Sequence, residues 1–372
     1  MIYGERIKQV RELNGWTQTE VAAQHGVTQS FVAQVENGWT KAPDEFMQSY
    51  VFRTGFPLHF FEAAPETDLP LGSLLFRARA DMTEREQKAL RAHASMAHEV
   101  LSRMLVGKTI QEPPMRVPNV TGDPERAAII ARSELGLSPD QPVKHVLHTM
   151  ESAGILVIGL PRAFVSGDAF CVWAPTINGA RRPIVVLSSD RPADRVRLSA
   201  AHELGHLVLH HPLPASRSVH DEANKFAGAF LLPADAMRQE ITKAMTLEMF
   251  LSLKIKWGVS VQAAIVRAHE LELITPRRYK ELFQRLSAKG WRTHEPLSSQ
   301  VPLERPRGFR QIAEMLYGKR LDYQKIADEI RYPEPFLREL LEAHASKGDT
   351  LSPAKIDQAT RDAGVLKFPK KH

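Results

Sequence analysis

Apolar positions recur at helical spacing along most of this chain. Ile7, Val10 and Leu13 mark one face of an amphipathic helix that ends near Gly15. A second helix opens at Thr17 with Glu20 three residues on, the register of a capping box, and stops at His25-Gly26-Val27. Thr28 then caps a third helix whose inner face carries Val32 and Val35. A small Ala22, a turn at Gly26 and apolar Val27, Val32 and Val35 are what two helices crossing through a tight turn require. Residues 81–106 read as a polar connecting helix, and 124–136 and 143–154 as two more. The pattern then changes to short apolar runs at 155–159, 169–173 and 184–187, which read as strands. Helices resume at about Asp194 and continue to about Ser287.

The chemistry concentrates in the run Ala201-His202-Glu203-Leu204-Gly205-His206. On a helix, residues four apart share a face, so His202 and His206 can present two imidazoles to one metal ion. Glu203 lies roughly 100° round the helix, close enough to reach a water without being a ligand. Two histidines holding zinc and a glutamate acting as general base is the HExxH arrangement of zinc hydrolases. Gly205 inside such a helix implies that something packs closely against it.

The next helix, from Asp221 to Leu232, offers a third ligand. Stepping roughly 100° per residue puts Glu222 within the apolar arc of Ala223, Phe226, Ala227 and Phe230. A carboxylate on a buried face needs a partner or a metal, so Glu222 is the expected ligand, with His210, His211 and His220 as rivals. No residue stands out to stabilise an oxyanion; His210, His211, His220 and Tyr50 are candidates.

These stretches resemble one family. Pro183-Ile-Val-Val-Leu-Ser, the HExxH helix, and Glu222-Ala-Asn-Lys-Phe-Ala-Gly-Ala-Phe-Leu-Leu-Pro are similar to the ImmA/IrrE zinc metallopeptidases, and Lys254-Ile-Lys-Trp-Gly-Val-Ser resembles members with an N-terminal DNA-binding domain. Residues 17–38 resemble the helix-turn-helix of phage-repressor-like (XRE-type) regulators. The resemblance implies one Zn²⁺ per chain on His202, His206 and Glu222, with Glu203 activating water. It also implies proteolysis of a repressor-type protein in a stress or mobile-element response. A regulator whose metal domain senses or docks without cleaving, and a defence or toxin-associated protease, are the alternatives. The helix-turn-helix implies double-stranded operator DNA as a partner, bound by a homodimer. Its second helix would enter the major groove with Thr28, Gln29, Ser30, Ala33 and Gln34 near the bases, and Gln18 would suit a phosphate contact.

Composition narrows this picture. With 43% hydrophobic residues over 372 positions the chain can bury more than one core. Its single cysteine, Cys171, excludes an internal disulfide and a thiolate zinc site. No apolar stretch approaches a membrane span, and no export signal opens the chain, so the cytoplasm is expected. Residues 1–62 carry five Lys and Arg against seven Asp and Glu, an unusual balance for a DNA reader. Residues 276–372 carry twenty against thirteen, enough to meet nucleic acid or an acidic partner. Within that tail, Ala327, Arg331, Tyr332 and Leu337 repeat the spacing of the first turn. A plain helical hairpin is the expected reading there, because Arg331 replaces the glycine and Pro333 crowds the second helix.

The expected architecture is mostly α with a small mixed sheet, the α+β class. A helix-turn-helix bundle would occupy 1–66 and a helical connector 67–115. A zincin-like metallopeptidase domain would span 116–296, and a basic helical tail, a candidate second helix-turn-helix, 297–372.

Overall fold

The computed structural model describes residues 1–66, 69, 75–76, 83–108, 115–160, 169–175, 181–188, 191–210 and 217–345. It is mostly helical with a small mixed sheet, as the periodicities predict.

The first five helices are α1 (Gly4–Leu13), α2 (Gln18–His25), α3 (Gln29–Glu36), α4 (Asp44–Thr54) and α5 (Leu58–Phe61). Local chemistry sets their ends. Thr17 and Glu20 close a capping box, with the Glu20 N–H donating to Thr17 Oγ1 at 3.1 Å and the Thr17 N–H to the Glu20 carboxylate at 2.6 Å. Gly26 ends α2 at φ 66°, the left-handed conformation that costs glycine nothing. Ile7, Val10, Val21, Val32, Val35, Phe46 and Tyr50 fill the space between these helices.

The sheet runs β1 (Leu75–Phe76), β3 (Ala169–Pro175), β4 (Arg181–Ser188), β2 (Leu156–Leu160). β2 lies parallel to β4, while β3 is antiparallel to β4, and β1 adds a two-residue antiparallel pairing to β3. Side chains alternate across the sheet and so divide two cores. Val157, Cys171, Val185 and Leu187 join one; Ile158, Phe170, Val172 and Val186 join the other.

The first core is closed by α7 (Pro124–Glu134), α8 (Val146–Ser152), α9 (Ala193–Leu209), α10 (Arg217–Leu231), α11 (Ala234–Glu240), α12 (Leu247–Trp257), α13 (Val261–Glu270) and α14 (Pro276–Ala288). The second core joins the N-terminal bundle to α6 (Glu84–Leu105) and to α15 (Gly308–Tyr317), α16 (Tyr323–Ile330) and α17 (Glu334–Glu342). α6 differs from the polar connector its composition implied, because its polar residues are buried with partners. Glu99 accepts from the Arg6 guanidinium and from Arg103, and Arg103 also donates to the Ile330 carbonyl at 2.9 Å. A helix rich in such pairs reads as solvated in sequence and sits in a core in the fold.

The turn in the tail shares backbone features with the first one. Arg331 takes the left-handed conformation at φ 56°, and the Tyr332 N–H donates to the Ala327 carbonyl at 3.0 Å. The Val27 N–H makes the same 3.0 Å bond to Ala22 in the first turn. Among the described residues no single helix is long and apolar enough to cross a membrane.

Candidate metal centre and helix-turn-helix face

α9 carries the HExxH residues into the first core, where His202, Glu203 and His206 are all buried. Its close partner is α10, and Gly205 is the reason the two helices can meet. A Cβ at 205 would stand 2.9 Å from the Phe226 ring, which is the tight packing the sequence implied.

Three ring nitrogens converge between these helices. His206 Nε2 lies 3.0 Å from His202 Nε2 and 3.1 Å from His220 Nδ1. The ligand atoms of the three histidines all lie within 4.8 Å of one another. Two nitrogens at zinc-bond lengths in a tetrahedral shell stand roughly 3.3 Å apart, so the spacing fits that ion. The tautomers fit as well. His202 Nδ1 sits 2.9 Å from Asn224 Oδ1, so the ring donates there and turns a bare Nε2 to the cluster.

Glu222, the third ligand expected from sequence, is not brought into this cluster. Its side chain is 45% exposed, and its carboxylate accepts from His210 Nε2 at 2.9 Å. His210 Nδ1 in turn lies 3.0 Å from His206 Nδ1. At the start of α10 it is His220 and Asn224, four apart, that share the face toward α9. The i, i+4 spacing of those two residues was the available signal.

Glu203 is fully buried beside Cys171 of β3. Burial, and next the adjacent Glu203 carboxylate, push the Cys171 thiol well above its ordinary value, so it stays protonated and donates toward that carboxylate. Cys171 is directly opposite Leu75 of β1. At this point the edge of β3 is taken by the chain's own backbone. Tyr50 is no part of the site, since its hydroxyl donates to the Ile7 carbonyl at 2.9 Å inside the N-terminal bundle. His211 lies outside the described residues.

In the helix-turn-helix, Thr28, Gln29, Ser30 and Gln34 are exposed, with Gln18 and Ala33 half-buried beside them. Thr28 Oγ1 accepts from the Phe31 N–H at 3.2 Å, so its hydroxyl serves the helix start. Gln29 donates to Gln18 at 2.6 Å, and Gln18 donates to Glu36 at 2.9 Å. Glu36 is itself held by the buried Arg11, through bonds of 2.5 and 2.9 Å. A buried ion pair thus orders two glutamines on the outer surface.

Comparison with known families matches two parts of the chain. Residues 7–47 match the helix-turn-helix family, and residues 150–269 match the IrrE N-terminal-like domain of the M78 peptidases. The chain therefore joins a DNA-binding helix-turn-helix to a metallopeptidase-like domain, as the ImmA/IrrE resemblance implied. No curated protein matches the chain.

Proposed function

We propose that this protein is a DNA-bound regulator carrying a zinc-dependent endopeptidase. Its substrate would be a repressor-type protein, cleaved in a stress or mobile-element response in the cytoplasm. The observation that carries this reading is the convergence of His202, His206 and His220 beside the buried Glu203. His202 and His206 would hold zinc through Nε2 and His220 through Nδ1, with Glu222 as the rival third ligand that the family resemblance implies. When bound, the ion would polarise a peptide carbonyl and acidify water. Glu203 would take the proton from that water and carry it to the leaving amine. A purely structural zinc site has no use for a buried carboxylate at this position. The N-terminal module would place the chain on operator DNA, as a homodimer on two-fold-related half-sites.

The test begins with metal analysis of the full-length protein, followed by incubation with a repressor encoded beside it. Glu203→Gln should keep one zinc per chain while cleavage falls about 10²–10⁴-fold. Equal cleavage by wild type and variant would remove the general-base role. Loss of zinc in Glu222→Gln together with full retention in His220→Ala would restore Glu222 as the ligand.

A further inference from the structure

We infer that Thr40, beyond the end of α3, is a positioning residue for base reading that acts by holding the side-chain amide of Gln34. The inference rests on the DNA reading above and adds a residue outside the two crossing helices. Gly38 sits at φ 73°, in the left-handed region, and turns the chain back over the end of α3. The Trp39 N–H then donates to the Gln34 carbonyl at 2.9 Å, and the Thr40 N–H donates to the same oxygen at 3.3 Å. Two backbone bonds thus set Thr40 beside Gln34. From there the Thr40 hydroxyl donates to Gln34 Oε1 at 3.0 Å, while Gln34 Nε2 donates to Ser30 Oγ at 3.4 Å.

A glutamine amide has two donor and two acceptor sites. Thr40 takes one acceptor site and Ser30 one donor, so one of each is left. That remainder is what adenine matches in the major groove, with its N6 donor and N7 acceptor. Gln34 is exposed and Thr40 half-buried, so the anchored partner steadies the free one. An exposed glutamine with no such partner loses rotamer freedom when it binds, at a cost of about 2–10-fold in affinity. Holding the amide beforehand removes part of that cost, and only at the base pair where the amide engages. Gln29 is steadied from the other side, by Gln18 on α2.

The experiment selects duplexes from a randomised library with the full-length protein, then measures affinity for the selected site and for each of its single-base variants. Gln34→Ala identifies the base pair that Gln34 reads, as the one where discrimination collapses; no such pair would overturn the inference. Thr40→Val keeps the branched shape and removes the hydroxyl. It should narrow discrimination at that pair about 2–10-fold and leave the other pairs unchanged. Thr40→Ser should restore it, and Thr40→Val should add nothing in the Gln34→Ala background. An equal cost in both backgrounds would make Thr40 a direct DNA contact and overturn the inference. So would a loss spread evenly over all base pairs, the mark of a merely structural role. NMR relaxation of side-chain amides in the DNA-free protein gives a readout independent of binding. The Gln34 amide should be more ordered than that of the exposed Gln48 on α4, and as mobile as it in Thr40→Val. Equal mobility in wild type would overturn the inference whatever the DNA result. Wild-type binding that is blind to sequence, with an ordered Gln34 amide, would sink the DNA reading and leave the contact between Thr40 and Gln34 standing.

Discussion

The turn between α2 and α3 and the turn between α16 and α17 have the same backbone and opposite surfaces. Ala22, Gly26, Val27, Val32 and Val35 correspond to Ala327, Arg331, Tyr332, Leu337 and Leu340, each 305 positions later. Both first helices span eight residues, start on a side-chain cap and end on a left-handed residue. The outer positions diverge. Where α3 presents Gln29, Ser30 and Gln34, α17 carries Glu334, Pro335 and Glu339. Two carboxylates facing DNA would repel phosphate, and Phe336 is buried against Phe56 and His93 instead. Two helices crossing at a left-handed residue are thus a packing solution, and the side chains outside the core decide whether such a unit can read DNA.

The largest expected effect tests where each unit keeps its apolar weight. Phe336→Ala should cost about 3–5 kcal/mol in urea unfolding, because the ring is buried in the core shared with the N-terminal bundle. Its counterpart Phe31 is half-buried, and Phe31→Ala should cost only about 1–2 kcal/mol. Equal costs would mean that the tail unit is not anchored as described.

Acid should separate the two units next. His344, just after α17, is buried with Nδ1 donating to the Leu340 carbonyl at 2.8 Å and Nε2 accepting from the Gly159 N–H at 3.3 Å. Burial pushes it down to about 4. Burial, with His344 close by, likewise takes His93 to about 3. A folded value below the unfolded one means that the unfolded chain takes up protons first. Stability is then present above the ordinary histidine range and lost as pH falls from about 6.5 toward 4. The loss from His344 alone should be on the order of 3 kcal/mol at pH 4, and His344→Asn should remove that share of the pH dependence. Unfolding curves for the variant that steepen with acid as much as wild type would refute the assignment.

A third comparison concerns DNA. Gln29→Ala and Gln34→Ala should each relax preference at particular base pairs, by roughly 1–3 kcal/mol where the contact is bidentate. Glu339→Gln on α17 should leave DNA affinity unchanged. A gel-shift series in which Glu339→Gln alters operator choice would make the tail a second reader.

The smallest effect lies in the turns themselves. Gly26→Ala should cost about 1 kcal/mol, since a Cβ is disfavoured at φ 66°. Arg331→Gly relieves the same strain but frees the unfolded chain, so it should change stability by less than about 1 kcal/mol. Thermal unfolding of the two variants measures this asymmetry.

Features set by neighbours in sequence were legible without a fold. The capping box at Thr17 and Glu20, the turn at Gly26 and the pairing of His202 with His206 depend only on helical or turn spacing. So did the close approach at Gly205. That His220 lies against His206 while Glu222 lies against His210 was not legible, because it turns on how α10 is rotated against α9, where Phe226 packs over Gly205. The burial of α6 was hidden for a similar reason, since Glu99 looks solvated until Arg6, 93 positions away in sequence, is brought against it. The sequence by itself determined the helices, their caps and the placing of His202, Glu203 and His206 on one helix, all of which follow from local spacing. Tertiary structure alone decided which side chains α9 and α10 bring together and which helices share a core. Those outcomes depend on contacts between residues far apart in the chain.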